Sequence, residues 1–106
     1  MTSRIILAGA YYHQKYPDFI IFYRLDDCYV AFQEDAGRAA KMLQKSIYTT
    51  NEGIDCLRLI RSEFLDAVEL LAMCGLSVKG ITYRDNDGKY AIPDVKTLSE
   101  EEEMDY

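Results

Sequence analysis

Cysteine and histidine, which most often carry metals or covalent catalysis, are scarce in this 106-residue chain, with three of the first and one of the second. Cys28, Cys56 and Cys74 are odd in number, scattered, and form no Cys-x-x-Cys, so neither a disulfide framework nor a zinc site is signalled. A reducing, cytoplasmic setting is expected. His13 has no Cys, Asp or Glu at ligand spacing, and a nucleophilic Cys28 would need a base brought to it by the fold. The plainer reading is a partly exposed polar residue and a small strand filler. Long hydrophobic runs are also missing: Ile5 to Ala10 is far too short to span a bilayer and leads into tyrosines, so no signal peptide or membrane span is expected. No nucleotide-binding loop is present either. Gly75 and Gly80 have the spacing of a phosphate-binding loop, but Ile81 stands where its Lys belongs and the element order is reversed. The chain is therefore expected to be a soluble, non-catalytic protein without cofactor, metal or nucleotide.

What remains is a core and an uneven charge. Hydrophobic residues make up 49% of the chain, enough for one domain, assigned to residues 1–96. The net charge of −6 is the wrong sign for a nucleic-acid binder. Five of the eighteen acids, Glu100 to Glu103 and Asp105, lie in the segment 97–106, which leaves thirteen against twelve Lys and Arg in the body. That segment reads as a solvated, disordered tail. A tethered polyanion could also compete with phosphates for a basic surface.

Patterning predicts the elements. Ser3 to Lys15 is read as a helix, with a short strand at Ile5 to Leu7 as the alternative. Phe19 to Tyr23 is an unbroken apolar run suited to a strand covered on both faces. Asp26 and Asp27 turn the chain, and Cys28 to Phe32 returns as a second strand. Glu34 and Asp35 open a helix where carboxylates favour the positive end of the dipole. Its Ala36, Ala39, Ala40 and Leu43 repeat at helical spacing, opposite Arg38, Lys41 and Lys45. Ile47 to Thr50 and Cys56 to Ile60 read as strands around a turn at Asn51 to Gly53. Ser62 is the expected cap of a helix through Cys74, and Gly75 its left-handed terminator. Asp85 to Gly88 resembles part of a calcium loop. Tyr83 and Asp94 would occupy key ligand positions, however, so a turn closing a hairpin of two further strands, Ser77 to Arg84 and Lys89 to Ile92, is the better account. The fold class expected is α/β (α+β): a twisted mixed sheet of about five to six strands flanked by helices.

The stretch from Tyr16 to Thr49 resembles the N-terminal mismatch-recognition domain of the MutS family of DNA mismatch-repair proteins. The matching residues are Pro17, Asp18, Phe22, Tyr23, Arg24, Leu25, Asp27, Tyr29, Asp35, Ala36, Arg38 and Ala39. A second match runs from Phe64 to Val78 and includes Gly75 and Ser77. The resemblance implies a MutS N-terminal-like fold and a recognition role. In the family, a Phe-x-Glu triplet is implied to insert its ring beside a mispair while the Glu accepts a hydrogen bond from the displaced base. Here those positions are Cys28 and Val30. A thiol cannot stack, aromatic stacking being worth about 1 to 3 kcal/mol per base, and Val offers no acceptor. The Gly of the family turn is Asp26, which tolerates positive φ at some cost.

The expected binding residues are Arg24, Cys28, Tyr29 and Val30 around the hairpin, with Arg38, Lys41 and Lys45 as phosphate contacts. The basic stripe is equally explained as a solvated helix face. Two partners fit: duplex DNA bound weakly through its backbone, or a protein docked on the Cys28 to Val30 rim. Nine tyrosines offer a stacking platform for single strands, but tyrosines at element margins more often pack.

Overall fold

The computed structural model describes residues 2–95, with side chains from Arg4 onward; the acidic segment 97–106 lies outside them. Three helices and five strands follow one another as α1 (Thr2–Lys15), β1 (Phe19–Leu25), β2 (Cys28–Phe32), α2 (Gln33–Leu43), β3 (Tyr48–Thr49), β4 (Asp55–Ile60), α3 (Arg61–Met73) and β5 (Ser77–Ile81). The strands form one open mixed sheet in the order β3-β4-β2-β1-β5. β5 runs parallel to β1, and the other pairings are antiparallel.

The unbroken apolar run of β1 follows from its position between two helical layers. Because side chains alternate across a strand, Ile20 and Phe22 pack with α2 and α3, while Ile21 and Tyr23 pack with Ala8 and Tyr12 of α1. All four β1 residues are buried. β2 alternates in the same way. Ala31 and Tyr29 join the α2–α3 layer, whereas Val30 packs with Ile54 and Cys56 on the other side. Helix α1 stops where Pro17 disfavours helical geometry at the residue before it, its last turn closed by the Tyr16 N–H donating to the Tyr12 carbonyl at 2.7 Å.

The β1–β2 turn is two residues long, since Leu25 pairs with Cys28. Asp26 takes φ +55°, the backbone conformation the missing glycine would have adopted freely. Gly75 terminates α3 at φ +81°. The Gly75 N–H donates to the Ala72 carbonyl and that of Leu76 to the Leu71 carbonyl, the double closure of a Schellman motif.

Three expectations need correction. Helix α3 begins at Arg61, so Ser62 is not its cap; instead Glu63 Oε1 accepts from the Ile60 N–H at 3.1 Å, the carboxylate half of a capping box. Helix α2 ends at Leu43 because Gln44 turns left-handed, which takes Lys45 off the helical stripe. The closing hairpin adds only β5. Beyond it, Arg84 and Tyr90 form a single antiparallel bridge, and Asp85 Oδ1 accepts from the Asp87 and Lys89 N–H groups, which makes 85–89 a side-chain-braced turn. No helix among the described residues is long and apolar enough to cross a membrane.

Candidate functional site

The end of the sheet that carries the β1–β2 turn collects the most chemistry. Arg24 pairs across the ladder with Tyr29, so it shares the face of Phe22 that α3 covers. Past the reach of the apolar layer its guanidinium lies over the Tyr90 ring, 4.0 Å from the centroid. Arg84 lies over the same ring at 4.5 Å and donates from Nη2 to the phenol oxygen at 2.6 Å. Arg84 hydrogen bonding, then the charges of Arg24, Arg84 and Arg61, hold the Tyr90 phenol below its ordinary range. Two guanidiniums therefore lie on one ring, brought together by the end of β1 and the 84–90 turn, and the charge of Arg61 at the start of α3 adds a weaker influence from farther away. Each is a planar fork that matches a phosphate. Asp26 and Asp27, exposed on the adjacent turn, offset part of this charge.

Cys28 and Val30 lie on the opposite face. The two residues are only 3% and 4% exposed, so neither forms an open apolar rim. The Cys28 thiol donates to the Leu25 carbonyl at 3.2 Å, and its sulfur accepts from Arg58 Nε at 3.0 Å. Cys28 is thus tied to Arg58, and His13 lies elsewhere. A depression of about 200 Å³ beside them is bounded by Leu25, Tyr48 and Arg58. Tyr29 does not protrude: its ring stacks on Phe64, centroids 3.9 Å apart and planes 8° from parallel. Gly80 lies against that stack; a Cβ there would make ordinary contact with Phe64 at 3.6 Å and Tyr29 at 4.0 Å.

Of the α2 cations, Arg38 and Lys41 are exposed. Lys45 is engaged, its Nζ donating to Glu63 Oε2 at 2.8 Å, an interaction that lowers the pKa of Glu63. The structure therefore unites Arg24 with Arg61, Arg84 and Tyr90, none of the last three anticipated from sequence, and separates it from Cys28, Val30 and the α2 stripe. Arg61 and Arg84 stand 37 and 60 positions after Arg24; the pairing of β4 with β2 brings up the first, and the parallel return of β5 beside β1 the second.

His13 has a partner that spacing could not show. Its Nε2 lies 2.7 Å from Asp35 Oδ2, which also accepts from the Ile21 N–H at 3.3 Å. Burial raises the Asp35 carboxyl to about 6, against the lowering influence of His13, the Ile21 N–H and Arg38. Among the described residues no cluster of three His, Cys, Asp or Glu could hold a metal.

The family model described as MutS domain I matches residues 10–83, from the middle of α1 to just past β5 and short of Arg84 and Tyr90. The chain belongs to the MutS domain I family, a DNA mismatch-recognition domain at family level.

Proposed function

We propose that this domain is a non-catalytic module that associates weakly with duplex DNA through the phosphate backbone and does not select mispairs. The supporting observation is the placement of Arg24 and Arg84 on Tyr90, with the charge of Arg61 felt at the same phenol, beside the hairpin that the family directs at DNA. Phosphate contacts position a protein on a duplex without reading sequence. Reading would need a ring and an acceptor at positions 28 and 30. Cys28 and Val30 supply neither, and both are buried. Their burial also weighs against the alternative of an apolar protein contact through that rim. Arg38 and Lys41 extend the cationic surface only if the duplex also reaches α2.

Binding by three phosphate contacts should release about three counterions, giving a slope of log affinity against log salt of about −2.7. Anisotropy titration of a fluorescent duplex should therefore show an approximately 40-fold loss between 50 and 200 mM salt. Arg24→Gln with Arg84→Gln should reduce the slope to about −1. An unchanged slope in the double variant would remove the cluster from the interface.

A further inference from the structure

A groove of about 500 Å³ lies away from the arginine cluster, between α1 and the first turn of α2. Its walls are apolar, formed by Ile5, Ile6 and Ala10 of α1 and by Phe32. Ile6 is 54% exposed, which keeps the mouth open. Polar groups converge on one side: Tyr23, His13 and Asp35 all line it. Tyr23 is 3% exposed and its hydroxyl has no hydrogen-bond partner; His13 Nδ1 is likewise buried and unpartnered. In the neutral tautomer that donates from Nε2 to Asp35, Nδ1 presents a lone pair. A buried hydroxyl left unpaired costs on the order of 1 to 3 kcal/mol. Apolar walls with a few convergent, unsatisfied polar atoms, in a space of several hundred Å³, are the usual form of a small-molecule site.

We propose that this groove binds a small, uncharged, mostly apolar molecule whose single hydroxyl or carboxamide group pairs with Tyr23 Oη and His13 Nδ1. A hydroxyl or amide can accept from the phenol and donate to the imidazole; a pure hydrocarbon satisfies neither. Anions are disfavoured although the groove touches a helix start, because Glu34 lines it and the Asp35 carboxylate is already engaged. Gly9 also lines it, and a Cβ built there meets nothing within 4 Å, so a side chain at position 9 would project without strain.

The test is an amide-resonance titration of the full chain with phenol, benzamide, benzoate and toluene. Phenol and benzamide should saturably shift Gly9, Ala10, Gln33 and Glu34, with toluene and benzoate at least about 5-fold weaker, the worth of one net hydrogen bond. Tyr23→Phe, which leaves His13 Nδ1 as the remaining partner, should narrow the preference of phenol and benzamide over toluene about 5-fold. Gly9→Leu, which fills the groove while keeping α1, should abolish binding of all four. The proposal falls if no probe saturates, if benzoate binds as well as benzamide, or if Tyr23→Phe leaves the preference for polar probes intact. A Gly9→Leu protein that still bound them would overturn it equally.

Discussion

Replacing Tyr29 separates a packing role from a reading role, because the motif position alone suggests contact with DNA while the structure gives it to the core. Its ring lies flat on Phe64 at 3.9 Å and beside Gly80, and most of the residue is covered by that layer. Fully buried aromatic-to-Ala changes cost about 3 to 5 kcal/mol. Partial exposure reduces the area lost, while the aromatic pair itself is worth about 0.5 to 1.5 kcal/mol. Tyr29→Ala should therefore destabilise the domain by about 2 to 3 kcal/mol, a fall of roughly 10 to 20 °C in Tm for a chain of this size. Tyr29→Phe keeps the stack and should stay within about 0.5 kcal/mol of wild type. Urea unfolding followed by far-UV circular dichroism measures both, and duplex affinity is read under conditions where both variants remain folded. Unchanged stability in Tyr29→Ala together with lost DNA binding would refute the packing assignment.

Three other outcomes are expected. Because the Asp35 carboxyl is raised to about 6 by burial, the folded chain holds a proton there that the unfolded chain releases near pH 4. Stability should thus fall as pH rises from 4 to 6, with an upper bound of about 3 kcal/mol from this group. Asp35→Asn should flatten that part of the curve, as measured by urea midpoints across the range. Gly75→Ala, at φ +81°, should cost about 1 kcal/mol in the same assay, the strain of a left-handed non-glycine residue. Cys28→Phe should cost about 1 to 3 kcal/mol if the ring stays beneath Arg58. A smaller loss would mean that the exposed Arg58 side chain swings away and the ring emerges.

Most of the fold was legible because its signals are local. The both-sides-buried run Phe19 to Tyr23, the alanine face of α2 and the terminating Gly75 each declare their element within a few residues. The closing hairpin misled because Asp85 to Gly88 carries turn chemistry without the strand pairing that usually accompanies it; Asp85 braces the turn by itself. The capping of α3 was misplaced because Glu63 does from the third position what Ser62 was expected to do from the cap. At the candidate site, the motif pointed to the hairpin but could not say which face each residue takes. Alternation puts Cys28 and Val30 together on one face and Tyr29 on the other, and the pairing of Arg24 with Tyr29 sends Arg24 toward α3. Arg61, Arg84 and the His13–Asp35 pair are long-range juxtapositions, and composition and spacing carry no trace of them.

In the proposed function the hairpin is kept while its mispair-reading chemistry is lost. Titrating wild type against a matched duplex and an otherwise identical duplex with one mispair, both at 50 mM and 200 mM salt, tests it most directly. Equal affinities for the two duplexes are expected, each falling steeply with salt. Tighter binding to the mispaired duplex, with the preference kept at the higher salt, would contradict the proposed function.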